Sequence, residues 1–119
     1  MQELSSAALD QIASYFRGLS DPTRLRILSL LRNGERKVGD LAEQCDFTAA
    51  NVSRHLAVLY KHGLVAKEGR GTSVYYRIAD ESVYALCDLV CSSLVRQFEH
   101  AAQQREALLR GAMGGAARE

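Results

Sequence analysis

Residues 48–78, "TAANVSRHLAVLYKHGLVAKEGRGTSVYYRI", run a helix pattern directly into a hairpin pattern. Thr48 can accept a hydrogen bond from the free N–H groups of a helix start, and Gly63 stands where that helix should stop. At about 100° per residue, Val52, Leu56 and Leu59 fall on one side of the helix. Ala50, Asn51 and Arg54 must then point the other way, with Ser53 on the flank. The helix therefore combines a core stripe with a small polar outer face. Beyond it, Leu64–Lys67 and Ser73–Ile78 are runs of strand formers around Gly69-Arg70-Gly71, the pattern of a β-hairpin with a cationic tip.

Three shorter patterns precede this stretch. Leu9, Ile12, Phe16 and Leu19 keep the spacing of an amphipathic helix. In residues 20–34, "SDPTRLRILSLLRNG", Asp21 is an N-cap, Pro22 takes the first helical position and Gly34 lies just past the end. Leu25, Leu28 and Leu31 are the expected buried face of this second helix. A short third helix, Val38 to Gln44, ends near Cys45-Asp46-Phe47. Two short helices joined by a tight turn form a helix-turn-helix, whose second helix enters the major groove of DNA. An ordinary bundle helix would share the pattern of residues 48–62, and the hairpin that follows decides for a winged helix. Lys67 and Arg70 are then placed to reach phosphate or the minor groove. The plain alternative for Arg70 is a solvated turn residue.

Downstream, a helical segment from Asp80 to Arg110 carries Val83, Leu86, Val90, Leu94, Phe98 and Ala101 in a stripe close to a heptad, which calls for a partner. Together with the first helix it predicts a homodimer interface, and a two-fold dimer would set two recognition helices on a pseudo-palindromic site. The expected fold is mainly α with a β-hairpin wing, in the order α-α-α-α-β-β-α, homodimeric through its first and last helices. Residues 1–110 are read as one winged-helix DNA-binding and dimerisation domain, and 111–119, "GAMGGAARE", as a disordered tail.

The totals agree with this. A chain of 119 residues, 47% apolar and 24% charged with one proline, has the composition of a single globular domain. No stretch approaches the roughly 18 apolar residues of a membrane span. The start, Met1-Gln2-Glu3-Leu4, lacks the basic-then-apolar order of a secretory signal, so a cytoplasmic protein without membrane contact is expected. Three cysteines in a reducing compartment argue against a disulfide framework and leave thiol chemistry, metal ligation or burial. The net charge of +1 conceals an asymmetry. Between Gln11 and Arg77, eleven Lys/Arg stand against six Asp/Glu, an excess of five suited to a phosphate-facing surface. There is no Ser/His/Asp or carboxylate constellation and no phosphate-cradling glycine loop, Gly69-Arg70-Gly71 being too short and set in a hairpin. An enzyme is not expected.

The string "LSDPTRLRILSLL…VGDLAEQCDFTAANVSRHLAVLYKHGLVAKEGRGTSVYYRIAD" resembles the ArsR/SmtB family of bacterial winged-helix repressors, over about Leu9 to Leu94. The motifs that carry the likeness are "SDPTRLRIL" opening the second helix, "NVSRHLAVL" in the recognition helix and "GLV…GR…YYRI" in the wing. The resemblance implies a homodimer that sits on double-stranded operator DNA and leaves it when an inducer binds. The residues expected to contact DNA are Thr48, Ala50, Asn51, Ser53, Arg54 and His55 in the helix, with Lys67 and Arg70 in the wing. Arg54, Lys67 and Arg70 would hold phosphates, while Ala50, Asn51, Ser53 and Arg54 would read bases. A winged helix that binds protein is the rival, and weak, salt-insensitive duplex binding would mark it.

Members of the family sense through different sites. The Cys-Val-Cys site of the third helix aligns here with Lys37-Val38-Gly39 and is absent. The zinc-type site of the last helix pair aligns with Asp80-Glu81-Ser82, Ser93 and Arg96, which lacks three of its four ligands. Cys87 and Cys91 remain, in "ALCDLVCSSL". Four residues apart on a helix, they have Cβ atoms about 5–6 Å apart on one face. A disulfide needs about 3.5–4.5 Å, whereas two thiolates can converge on a soft ion at about 2.3 Å. A third ligand would come from a cysteine of the other subunit or from Cys45. His100, well beyond Cys91, reads as a surface residue. With no obligatory cofactor, the resemblance makes As(III), Sb(III) or another thiophilic ion the leading inducer. Two other readings stay open: an oxidant or persulfide switch, and simple packing of the pair. Cys45, at a helix end, reads as core.

Overall fold

A computed structural model of the protein describes residues 3–118, with side chains as far as residue 112. Its elements are α1 (Ser6–Leu19), α2 (Pro22–Leu31), β1 (Arg36–Lys37), α3 (Val38–Cys45), α4 (Ala49–Lys61), β2 (Val65–Arg70), β3 (Ser73–Ile78) and α5 (Ser82–Arg118). The chain divides into two compact units, a winged helix up to Glu81 and the helix α5.

Local chemistry sets the helix ends. Ser5 Oγ accepts from Ala8 N at 3.2 Å, Asp21 Oδ2 from Arg24 N at 3.1 Å, and Thr48 Oγ1 from Asn51 N at 3.1 Å. Each satisfies an N–H that the helix itself cannot. α3 stops at Asp46, which adopts φ 56°, while Phe47 N donates to Ala42 O at 3.0 Å. α4 stops in the same way at Gly63, φ 74°, with Leu64 N donating to Leu59 O at 2.9 Å. This paired bonding around a left-handed residue closes the helix and turns the chain sharply. Aspartate serves at the first stop because its short polar side chain tolerates the left-handed region. Asp46-Phe47-Thr48 is thus the tight turn between α3 and α4, and Gly63 delivers the chain straight into β2.

The core of the winged helix is built on Ile27, Leu31, Leu41, Val52, Leu56 and Leu59, all fully buried, with Leu28, Ala42, Cys45, Leu64 and Val65 around them. One expectation is corrected. The inner face of α2 is Ile27, Leu28 and Leu31, whereas Leu25 is 41% exposed. Positions 24, 27, 28 and 31 form the i, i+3, i+4, i+7 set, so Arg24 lies on the inner face and Leu25 beside it. In α1, Leu19 is buried but Leu9, Ile12 and Phe16 are exposed, which leaves an open apolar stripe. Gly18 lies so close to α4 that a Cβ there would stand 3.1 Å from three atoms of the His62 side chain.

The sheet is antiparallel in the order β1-β3-β2. β1, two residues long and too short for any periodicity, adds Arg36 opposite Tyr76 and Lys37 opposite Tyr75. The sequence pattern had not included it. β2 and β3 pair from Val65↔Ile78 to Arg70↔Ser73, so the turn is Gly71-Thr72, with Gly71 at φ 61°. Gly69-Arg70-Gly71 is therefore not the tip, and Arg70 belongs to the last strand pair. A glycine at the first central position of a two-residue turn suits the twist of a hairpin.

α5 continues past Arg110 to Arg118, through most of the segment expected to be a disordered tail; Glu119 lies outside the described residues. Once a helix is nucleated, each further residue adds a hydrogen bond without repeating the nucleation cost. Of its stripe, Val83 is buried and Leu86 half-buried, while Val90, Leu94, Phe98 and Ala101 are exposed. Among the described residues no helix is long and apolar enough to cross a membrane.

The reassigned face of α2 has a direct test. Ile27→Ala should cost about 2–5 kcal/mol in urea unfolding, as truncations in a packed core do, and Leu25→Ala less than half of that. Equal costs would contradict the packing described.

Candidate nucleic-acid interface

The outer face of α4 carries Ala50, Ser53 and Arg54 exposed and Asn51 half-exposed, opposite the buried Val52, Leu56 and Leu59. Asn51 Oδ1 accepts from Arg54 Nη2 at 2.8 Å. One turn of helix thus presents a guanidinium held by a side-chain amide, a planar donor array flanked by a donor and acceptor pair. Thr48 is exposed at the helix start with its hydroxyl engaged in the cap. The N–H groups of this first turn and the helix dipole favour an anion there.

His55 does not join this face. Its side chain is 16% exposed, with Nδ1 3.8 Å from Asp21 Oδ2 and 3.3 Å from Arg24 Nη1. Arginine has no acceptor, so Arg24 donates and the His55 nitrogen accepts. The ring of His55, expected to contact DNA, packs toward the start of α2. One turn after Val52, it sits at the edge of the core stripe and lies against the start of α2.

Arg24 is the residue the sequence pattern missed. Its Nε donates to Gly18 O at 2.8 Å and its Nη2 to Arg17 O at 3.0 Å, which satisfies carbonyls at the end of α1. Its backbone N–H is the donor capped by Asp21. One residue therefore joins the end of α1, the start of α2 and the middle of α4. The available signal was an arginine on the otherwise apolar inner face of a helix, three residues after an aspartate N-cap. The Asp21 carboxyl is held below the usual carboxylate range, first by the Arg24 N–H against a smaller opposing effect of burial, with the charge of Arg24 and the Thr23 N–H adding to the lowering. At the other end of α4, Ser14 Oγ and His62 Nδ1 lie 3.2 Å apart, a second tie to α1.

In the wing, Lys67 Nζ lies 4.4 Å from the centroid of the Tyr60 ring, a cation–π contact between β2 and the end of α4. Arg70 is not a free cation. It donates through Nη1 and Nη2 to the two carboxylate oxygens of Glu35, and through Nη2 to Glu68 Oε2 at 2.9 Å. Its guanidinium carbon stands 4.6 Å from the Tyr75 ring centroid. The hydrogen bonds from Arg70 hold the Glu35 carboxyl below its ordinary range.

All three cysteines are free thiols. Cys45 is buried, and burial pushes its thiol pKa up, which suits core packing and disfavours the thiolate. Cys87 is half-buried and Cys91 exposed, on successive turns of α5. Among the described residues, no group of three or more His, Cys, Asp or Glu could hold a metal ion.

A family model described as bacterial regulatory protein, arsR family, matches residues 21–67. The HTH-type transcriptional regulator NmtR of Mycobacterium tuberculosis is 42% identical over 85 residues, which cover 71% of this chain and 71% of NmtR. The chain belongs to the ArsR family. The arsenical resistance operon repressor of Bacillus subtilis is 37% identical over 87 residues, 72% of this chain and 83% of that protein. The solution structure of a homodimeric winged helix-turn-helix DNA-binding domain, Mb0332 from Mycobacterium bovis, superposes with a TM-score of 0.71 at 38% identity, covering 84% of this chain and 95% of that one. The ArsR family consists of DNA-binding transcriptional regulators and not of enzymes. The matched residues 21–67 begin at the Asp21 cap and end at Lys67, so they enclose the α2–α4 connection and the whole of α4. Arg70, Cys87 and Cys91 lie beyond them.

The charge at the Asp21 cap should show in the pH dependence of stability. Asp21→Asn keeps a cap acceptor and removes the charge. Its deficit against the parent chain should be fully present at pH 7 and should shrink as pH falls below about 4 and through the lowered pKa of Asp21, since protonation of the parent carboxyl removes the same contribution. Urea unfolding at pH 7 and pH 3 measures this, and a deficit independent of pH would assign it to shape alone.

Proposed function

We propose that this ArsR-family repressor binds operator DNA as a homodimer through α4 and the wing, and that a thiophilic inducer held by Cys87 and Cys91 releases it. The observation that carries the reading is the exposed Asn51–Arg54 pair on the outer face of a helix whose other side is core. Arginine reads guanine and asparagine reads adenine by paired hydrogen bonds in the major groove, and either side chain also serves a phosphate. Thr48, Ala50 and Ser53 line the same approach, and Lys67 extends it along the wing. His55 is left out for the reason given above.

The open apolar stripe of α1 and the exposed Val90 and Leu94 of α5 support a dimer, since such surface favours burial against a second copy. The homodimeric Mb0332 domain supports the same arrangement. The thiols of Cys87 and Cys91 supply two soft ligands from one chain, and a trivalent arsenic or antimony centre calls for a third. A cysteine of a second copy would complete the set, and the likeness to an arsenical resistance operon repressor favours this class of inducer. The inducer need only prefer a dimer geometry in which the two α4 helices no longer match successive major grooves. A difference in affinity on the order of a few kcal/mol between the two states is sufficient. The exposure of Cys91 also favours a second reading, in which an oxidant or persulfide reaches the thiol directly.

Fluorescence anisotropy on duplex DNA from upstream of the protein's own gene tests both parts. Arg54→Ala should lower specific affinity about ten- to hundredfold, the range for loss of one bidentate base contact. Unchanged affinity would remove α4 from the interface. Arsenite or antimonite should release the reduced parent protein and leave Cys91→Ser bound. Release only by a persulfide donor would establish the thiol switch, and release of both proteins alike would return the pair to packing.

A further inference from the structure

The contacts of Arg70 cross the whole sheet. Glu35 precedes β1, Arg70 ends β2, and Tyr75 on the intervening β3 lies beneath the guanidinium, opposite Lys37 of β1. Glu35 offers Arg70 both carboxylate oxygens, and Glu68 adds a third acceptor at 2.9 Å. The side chains of Arg70, Glu35 and Glu68 are 44%, 36% and 51% exposed, so the cluster is open to solvent and to an incoming ligand. Two carboxylates meet the charge of one guanidinium, with Lys37 Nζ 5.8 Å from the centroid of the same Tyr75 ring and the charge of Arg77 also acting on Glu35. As it stands, both carboxylates occupy Nη1 and Nη2 of Arg70, the donors a phosphate diester would engage.

A carboxylate and a phosphate engage the same guanidinium fork with the same paired geometry. We propose that Glu35 acts as an internal stand-in for DNA phosphate: it keeps Arg70 stacked on Tyr75 in a phosphate-ready orientation and competes with the operator backbone for it. Glu35 is thus a positioning residue that sets the affinity and salt dependence of the wing. This rests on the reading of the wing as a DNA contact. When phosphate takes the guanidinium, Glu35 is released as a free anion and gathers a cation from solution. That uptake offsets the counterion the phosphate gives up, so the exchange yields less affinity and a shallower salt response than a free arginine would.

The test is duplex binding by the full chain across a salt series for the parent, Glu35→Gln, Glu68→Gln, Arg70→Ala, and Glu35→Gln combined with Arg70→Ala. Glutamine keeps the shape and removes the competing charge. Glu35→Gln should tighten binding about two- to fivefold, the size of one exposed ion pair. It should also steepen the slope of log affinity against log salt by up to about 0.9, one phosphate's worth. Glu68→Gln should move both quantities in the same direction by less, and it carries the test if Glu35→Gln fails to fold by circular dichroism. The gain from Glu35→Gln should vanish in the Arg70→Ala background. Unchanged or weaker binding by Glu35→Gln, or a gain that persists without Arg70, overturns the proposal, the latter by showing simple repulsion. Arg54→Ala measured alongside separates the two readings. If it loses binding while Glu35→Gln changes nothing, the stand-in fails and DNA recognition by α4 stands; if no variant changes binding, the DNA interface itself is wrong.

Discussion

The guanidinium of Arg24 is the constraint on which the winged helix depends. α1 ends in carbonyls with no helical partner, and α2 begins with N–H groups in the same condition. Arg24 donates to the first set at Gly18 and Arg17, and Asp21 accepts from the backbone of Arg24 to cap the second. The turn between two helices thereby becomes a closed set of hydrogen bonds. Because Arg24 also bonds to His55, the same set is tied to α4. The outward face of Ala50, Asn51 and Arg54 follows from the inward stripe of Val52, Leu56 and Leu59 that fills the core.

Charge that looks alike in a sequence has different jobs once folded. The middle of the chain holds eleven basic residues, yet Arg24 is committed to helix ends, Lys67 to the Tyr60 ring and Arg70 to two carboxylates. Arg54 is held more lightly, by one neutral amide on its own helix. The cations are therefore graded: Arg54 on the outer face of α4 is readily available, and Arg70 on the wing is engaged by acids. If α4 and the wing meet DNA, such an arrangement would limit non-specific attraction to phosphate, which otherwise dominates the binding of basic proteins to DNA.

The three thiols are graded too. Cys45 is buried and burial raises its thiol pKa, whereas Cys87 and Cys91 sit on a helix that leaves Val90, Leu94 and Phe98 exposed. A ligand bound at the latter pair would act on the same surface that a second copy would cover. Sensing and assembly would then share one element, which is the economy expected where an inducer works by shifting a dimer between two geometries.

The features legible in the sequence are those whose partners lie within one turn of the chain. Asp21 with Arg24 N, Thr48 with Asn51 N, Asn51 with Arg54, and the stops at Asp46 and Gly63 each involve residues three to five apart, so helix boundaries and the outer face of α4 could be read directly. The family motifs lie in the same local patterns. What only the tertiary structure decided concerns partners far apart: His55 drawn to Asp21 and Arg24, Ile27 inward in place of Leu25, the two-residue β1 completing the sheet, and Arg70 held by Glu35 across it. Periodicity reports which side of a helix is apolar, but an arginine or histidine on that side shows its role only when another segment supplies acceptors or donors. Long-range polar contacts leave no spacing in the chain, because their geometry is set by how elements pack and not by the distance along the backbone.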